Sequence, residues 1–388
     1  MKNMRYLLWV GIICLIVLEG CTRSEIIDAG SAVRIVVDVS KSKVQNLSDE
    51  AEITEIIPLE TVEKSLLRNI DKLYVTDQYI LVVDLRKSEI YLFDRDGRFR
   101  NKIGIKGRGP KEYIAFDDVQ YDERNGLIYT HERMRHRMQS YGTNGKLINE
   151  KEYHQWLDSF LKTDDGYWIY TCYNEDVSTR YALQLIDSAF KKVIGQYLPQ
   201  KCFFTTTFLP RFFQDGQGGD YFAYPYSNII YRLENGIPEP YLTVDFGEKT
   251  LPYEEIKQLK EQSEYEKLVL DKGYLGDLKN MFFCNGKFYF SFSELASGET
   301  TLYRAVYDMN TSEVEIYDRY APFCPSGLQR YAFKKLPLTE LLGTDGKSLI
   351  YSVYPYNLSE ENLRVLTEKV SPEINQEANP LLFFVRQK

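Results

Sequence analysis

The chain has 388 residues, 44% of them hydrophobic and 27% charged, a composition that folds into a globular core without needing disulfide staples. A formal charge of −8 argues against a nucleic-acid binder, which carries a basic footprint. The 31 Tyr and 21 Phe favour strands, whose pleated surface accommodates aromatic side chains.

The first element is a leader, Met1–Cys21. Lys2 and Arg5 precede the apolar run Leu7–Leu18, which is too short for a permanent membrane span and fits an export signal. The ending Leu18-Glu19-Gly20-Cys21 resembles a bacterial lipobox, so Cys21 is expected to be lipidated and N-terminal. Its acyl chains then hold the protein at a membrane without a spanning helix. The alternative is a plain secretory signal or an anchor helix. The expected address is the cell envelope, lipid-anchored at the outer membrane by preference, facing the periplasm or the surface. Residues 22–52 read as a polar tether with one short strand, Val33–Val37.

The folded domain is expected over residues 53–388. Ile53–Leu59 is a strand, and Pro58 marks it as an edge or a strand end. Ile70–Asp84 reads as a hairpin around Thr76-Asp77-Gln78. A second hairpin follows, with Ile90 and Leu92 before the Asp96-Gly97 turn and Phe99 and Ile103 after it. Four strands thus lie between about Ile70 and Ile105. The unit recurs: the turn glycines Gly97 and Gly145 are 48 residues apart, Ala189 lies 44 beyond Gly145, and Gly236 lies 47 beyond Ala189. Thr311 comes 75 after Gly236, an interval lengthened by a helical insertion over Leu251–Leu275. A second helix is expected over Leu358–Val370, opened by Ser359 as its cap.

Four-stranded units at this period predict an all-β fold, a six-bladed β-propeller of four-stranded blades with short helical insertions. Blades are expected near 70–105, 117–152, 163–199, 215–246, 279–320 and 346–388, the last completed by a strand from the N-terminal region. Two β-sandwiches are the rival architecture.

Asp84–Asp94 (DLRKSEIYLFD), Gly97-Arg98-Phe99 and Gly104–Tyr113 (GIKGRGPKEY) resemble the NHL-type repeat, and Arg135–Leu147 looks like an eroded second copy. With the leader and Ile57-Pro58-Leu59-Glu60, the chain is similar to the six-bladed β-propeller lipoproteins of Bacteroides-type bacteria. The resemblance is specific over roughly 55–150 and architectural beyond Tyr153. It implies six blades and a periplasmic or surface lipoprotein, without implying a reaction or a ligand.

Candidate chemistry gathers on the loops. Gly104–Gly109 resembles a phosphate cradle, but no helix start with Lys-Ser/Thr follows, so a structural corner is expected. Arg108, Lys111 and Tyr113 beside it are expected at the funnel on the ring's open face. His131–Arg137 (HERMRHR) reads first as a solvated strand edge with basic gatekeepers. Its functional reading is a pocket for a uronate, sulfate or peptide carboxylate, with Arg86 and Arg133 as bidentate partners. His131 and His136 are five apart, on opposite faces if both lie on one strand, and His154 stands alone. Some NHL-type enzymes are zinc lyases with several histidines; this chain departs from that pattern, so neither a metal nor a cofactor is expected.

Two aromatic groups, Trp156, Trp168, Tyr170 and Tyr173, and Phe203, Phe204, Phe208, Phe212 and Phe213, read as packing or as a glycan platform with Trp168 at the funnel. Asp117-Asp118 and Asp94/Asp96 are calcium-like in composition but need only a turn role. Cys172, Cys202, Cys284 and Cys324 are scattered and read mostly as buried free thiols, with one disulfide of unassigned pairing as the alternative. The functional expectation is a binding or scaffold module for an unknown small ligand, glycan or peptide, or for an envelope protein. A glycan lyase or hydrolase in the same funnel is the enzyme alternative, and a purely structural envelope partner is the other.

Overall fold

A computed structural model describes residues 30, 32–45, 51–171, 180–199, 211–225, 227–256, 259, 261–296, 299–320, 338 and 340–387. Three N-terminal strands come first: β1 (Val33–Val36), β2 (Lys43–Gln45) and β3 (Ala51–Pro58). Blade I is β4 (Lys72–Val75), β5 (Tyr79–Asp84), β6 (Glu89–Asp94) and β7 (Phe99–Lys102). Blade II is β8 (Asp118–Asp122), β9 (Leu127–Glu132), β10 (Arg137–Gly142) and β11 (Leu147–Glu152). Blade III is β12 (Ser159–Thr163), β13 (Gly166–Tyr170), β14 (Tyr181–Ile186) and β15 (Val193–Pro199). Blade IV is β16 (Phe212–Gln214), β17 (Asp220–Ala223), β18 (Ile229–Glu234) and β19 (Ile237–Asp245). Blade V is β20 (Gly276–Cys284), β21 (Lys287–Ala296), β22 (Glu299–Asp308) and β23 (Val314–Tyr320). Blade VI is β24 (Glu340–Thr344), β25 (Leu349–Val353), β26 (Leu381–Gln387) and the returning β3.

The all-β, six-bladed expectation holds, and the burial of β5 shows why the sheets must stand in a ring. Successive side chains of a strand point to opposite faces. Ile80 and Val82 enter a core shared with Ile57, Ile350 and Phe384 of blade VI. Leu81 and Val83 enter another, shared with Val119, Ile128 and Tyr141 of blade II. Both faces of one strand are therefore apolar, and each needs a neighbouring sheet to cover it. Six such clusters form among the described residues, one at each interface between adjacent blades, so the ring is closed. Each fully buried Val or Leu in them contributes about 1.5–3 kcal/mol.

Closure runs through β3, which pairs antiparallel with β26, Pro58 opposite Leu381 and Ala51 opposite Gln387. Pro58 ends the outermost strand, where its missing N–H costs no ladder bond. The segment beyond β3 stitches blade VI to blade I: Glu60 N donates to Gly97 O at 2.9 Å, and Phe99 N donates to Glu60 Oε2 at 2.7 Å. Buried Asn379 donates from Nδ2 to the carbonyls of Glu60 and Ser65, both at 2.8 Å, and accepts from Leu67 N at 2.9 Å.

Part of the segment read as tether is instead woven into the sheets. β1 runs parallel to β19 as a fifth strand of blade IV, and β2 runs parallel to β23 on blade V. Ile35 and Val37 of this segment fill the core between blades IV and V. The outer edges of blades IV and V would otherwise present unpaired backbone groups, and the N-terminal segment covers them.

Helices α1 (Tyr253–Ile256) and α2 (Gln262–Lys272) lie between blades IV and V, and α3 (Glu360–Lys369) joins β25 to β26. Ser359 Oγ accepts from Asn362 N at 3.3 Å, capping α3. Gly273 ends α2 in the left-handed conformation that glycine adopts without a Cβ penalty. Among the described residues no helix is long and apolar enough to cross a membrane. The leader and the lipidation candidate Cys21 lie outside the described residues.

Candidate functional site

In a four-stranded meander the connections alternate between the two ends of the blade. The turns between second and third strands therefore share one face with the links between blades. On this face each inner strand begins, and four charged residues stand at or just before those starts: Lys72, Asp118, Asp158 and Arg211. They stand where the inner strands of blades I to IV meet this face, at the mouth of the ring.

The mouth is held by a charge network. Lys72 Nζ lies 2.5 Å from Asp118 Oδ1 and donates to Val119 O at 3.0 Å. The other Asp118 oxygen accepts from Phe160 N at 3.0 Å, so one carboxylate ties blades I, II and III together. Burial works against the Lys72 charge, but the neighbouring Asp118 carboxylate and the Tyr74 hydroxyl together outweigh it, and the ammonium pKa lies above its ordinary value. Next to this pair, Arg133 Nη2 meets Asp158 Oδ1 at 3.0 Å, and Arg133 N donates to Asp117 Oδ2 at 2.7 Å. The Arg133 guanidinium lies over the Trp156 ring, 5.7 Å from its centroid. Burial pushes the Asp158 carboxyl up; Arg133 and Arg211 pull it down, and Asp118 and Asp117 add to the rise.

Above the mouth, three loops of blades I and II form a rim: residues 85–88, 103–117 and 133–136. Lys106 Nζ donates to Lys87 O at 2.6 Å, joining the first loop to the second. Arg135 Nη1 at 3.0 Å and Arg137 Nη2 at 2.8 Å both donate to Glu112 O, joining the second to the third. Arg137 is anchored from below by the buried Glu132 carboxylate at 2.5 Å and by Glu150 at 2.8 Å.

The glycine corner of the second loop is already filled. Glu112 Oε2 accepts from Gly109 N at 2.7 Å, and a Cβ built on Gly107 would lie 2.1 Å from that same oxygen. The chain's own carboxylate thus takes the place that a phosphate would need, and the structural role of the corner is the one observed.

The candidate residues separate into two groups. Arg86, Arg108 and Lys111 are exposed on the rim and make no ion pair or side-chain hydrogen bond with the described residues. Arg133 is on the same face but its charge is taken up by Asp117 and Asp158. Tyr113 and Trp168 are buried and present no face to the funnel. Tyr113 packs on Phe116 with ring centroids 3.8 Å apart, inside the core between blades I and II. Trp168 is central in β13, a second strand covered on both faces, and packs against Tyr197 between blades III and IV.

His131–Arg137 also differs from the solvated edge expected of it. His131, Glu132 and Arg137 are buried, because β9 and β10 are the middle strands of blade II. His136 does not share a strand with His131; it occupies a left-handed turn with φ of 48°. His131 Nε2 is hydrogen-bonded to the Tyr153 hydroxyl. Burial, with Arg133 and His136 nearby, holds its pKa well below the ordinary histidine value, so the ring is neutral. Asp94 pairs with Arg100 and Asp96 with Arg98, as turn residues do. Among the described residues no group of three His, Cys, Asp or Glu is arranged to hold a metal.

Of the aromatic candidates, Tyr170 and Phe212 are buried in the core, and Phe213 stacks on Tyr221 with centroids 5.4 Å apart. Tyr173, Phe203, Phe204 and Phe208 lie outside the described residues, as do Cys172, Cys202 and Cys324. Cys284 is a buried free thiol whose pKa is pushed up by burial. Lys72, Asp158 and Arg211 escaped the sequence reading. The signal that marks them is positional: aligned blade against blade, they fall where each inner strand leaves the open face.

The family described as "Domain of unknown function (DUF4934)" has a model that matches residues 31–386. No curated protein matches the chain. A structure described as a "Putative exported protein" from Bacteroides fragilis superposes with a TM-score of 0.71 at 18% identity, over 92% of this chain and 100% of that one. A member of the DUF4221 family from Bacteroides vulgatus superposes with a TM-score of 0.51 at 11% identity, over 88% of this chain and 99% of its own. At these identities the likeness is one of fold.

Proposed function

We propose that this chain, which belongs to the DUF4934 family, is an extracytoplasmic binding module that takes an anionic ligand on the blade I–II side of its open face. One observation carries the reading: Arg86, Arg108 and Lys111 stand exposed and unpaired on loops whose other cations are consumed internally. Cations left without partners in a protein of net charge −8 are free to pair with an anion outside the fold. Arginine adds a planar donor fork suited to carboxylates, sulfates and phosphates. The leader and the exported Bacteroides neighbour support an address outside the cytoplasm. Acyl chains on Cys21 would supply the membrane anchor, and Cys21→Ala should release the protein from the membrane fraction. The strand pair around Gly97 and the glycine corner at Gly104–Tyr113 support reading blade I as an NHL-like repeat.

Thermal shift tests the ligand class. Uronate oligomers, sulfated glycans and acidic peptides should raise the melting temperature where neutral counterparts do not, since a ligand at 100 times its Kd stabilises by about 2.7 kcal/mol. Arg86→Ala/Arg108→Ala/Lys111→Ala should remove the shift. Equal shifts in the triple variant would sink the assignment.

A second reading is favoured by Asp158. A carboxyl raised by burial beside Asp117 and Asp118 is the environment of a general acid in a glycan hydrolase or lyase. Cleavage of an anionic glycan, abolished by Asp158→Asn while binding persists, would establish catalysis.

A further inference from the structure

The cations of the rim do not stand alone. The loops 85–88, 103–117 and 133–136 together carry seven Lys or Arg against two carboxylates, Glu112 and Asp117. Glu112 is turned inward onto Gly109 N, and Asp117 is engaged by Arg133. From the same loops project two large apolar side chains, Ile105 at 66% exposure and Met134 at 79%. Leu66, 45% exposed, sits on the adjoining link from blade VI, whose Leu66 carbonyl accepts from Lys87 Nζ at 2.7 Å. Single exposed apolar residues are ordinary on protein surfaces. Three at the tips of adjoining loops, among cations, are a different arrangement.

We infer that this rim docks on a bilayer surface rich in anionic lipid headgroups, with Ile105, Met134 and Leu66 entering the headgroup layer. The inference rests on the anion-binding reading of the same face and names its partner. Three features favour a bilayer over an acidic protein. The apolar groups are single exposed residues on three different segments, whereas a protein partner is met by a contiguous patch with a packed centre. Lipid attachment combines buried apolar area with attraction to anionic headgroups, and both terms are present here. The loops are also braced: Lys106 to Lys87, and Arg135 and Arg137 to Glu112, fix the tips before contact, so little ordering entropy opposes docking.

Each cation near an anionic leaflet strengthens attachment about fivefold, so Arg86, Arg108 and Lys111 together contribute about a hundredfold. An anchor confined to the N-terminus leaves the orientation of the domain free; a docking rim sets it, open face to the membrane.

The test uses the full-length protein incorporated into phosphatidylcholine vesicles with or without phosphatidylglycerol. Hydrogen exchange is followed at residues 103–116 and 131–138. Exchange there should slow at least fivefold on the anionic vesicles only. The turn at residues 94–98, on the opposite end of blade I, should not change. Ile105→Ser/Met134→Ser, which keeps every cation, and Arg86→Ala/Arg108→Ala/Lys111→Ala, which keeps both tips, should each abolish the slowing. All of these residues are exposed, and melting curves confirm folding.

Equal slowing on neutral vesicles, or none on anionic ones, overturns the inference. Slowing by soluble polyglutamate without slowing on vesicles also overturns it and assigns the rim to an acidic protein. Binding of soluble anionic glycans with no lipid effect leaves the anion-binding reading standing alone, and failure of every anion removes both.

Discussion

The pair at the mouth gives the sharpest test of how the inner strands are joined. Lys72 is 12% exposed and Asp118 4% exposed, at 2.5 Å, so both charges have left bulk water and depend on each other. Removing one partner from a buried pair strands the other charge, at a cost of about 3–5 kcal/mol. Asp118→Asn keeps the shape and can keep an oxygen for Phe160 N, but it leaves Lys72 without its counter-charge; a loss of about 3 kcal/mol is expected. Lys72→Met strands the carboxylate, still hydrogen-bonded by Phe160 N, at a similar cost of about 3 kcal/mol. With both substitutions no charge remains, and the double variant should lose only about 2 kcal/mol. The resulting coupling, about 4 kcal/mol, lies in the range measured for close charge pairs. Urea unfolding of the four proteins, followed by tryptophan fluorescence, closes the cycle. Additive losses, with coupling below about 0.5 kcal/mol, would mean that the pair is solvent-screened and does not hold blades I and II together.

Gly97→Ala should destabilise by about 3 kcal/mol in the same assay. Its φ is +88° and the new Cβ would lie 2.2 Å from Pro58 O at the blade VI–I seam. Gly126→Ala, at φ +61° with nothing within 4 Å, should cost only about 1 kcal/mol. Because folding holds the His131 pKa well below the ordinary value, the unfolded chain takes up a proton first as pH falls. The stability that the neutral ring contributes is full above about pH 6.5 and declines below it by up to about 1.4 kcal/mol per pH unit. The stability difference between wild type and His131→Gln should follow that slope between pH 7 and 5; a flat difference would mean that the ring is not held neutral. The buried Cys284 thiol should resist iodoacetamide in the native protein and react once urea unfolds it, read by peptide mass; native labelling would contradict its placement.

Repeating local grammar made the architecture legible. The Asp96-Gly97 and Asn144-Gly145 turns, with apolar strands on each side, mark hairpins at a fixed period because only a few residues tolerate such turns. Ile80–Val83, apolar at four consecutive positions, belongs to a strand buried on both faces, and the ring is what supplies the two covers. Ser359 marked the start of α3 for an equally local reason: the cap bonds a backbone three residues away. The site was far less legible. Arg86, Arg108 and Lys111 are reached by the exposure of loops, whereas Tyr113 and Trp168, identical in type to ligand-binding aromatics, are core.

Local sequence determined the turns and the strand period, and with them the expectation of six meanders, since turn chemistry is a property of neighbouring residues; closure through β3 and β26 joins the two ends of the chain. Which charges meet was decided only by tertiary structure. Lys72 finds Asp118 46 residues away, Arg133 finds Asp158 25 away, and the glycine corner is filled by Glu112 rather than left open. Coulomb and hydrogen-bond partners are selected by distances in space, and those distances exist only once the blades have closed around their axis.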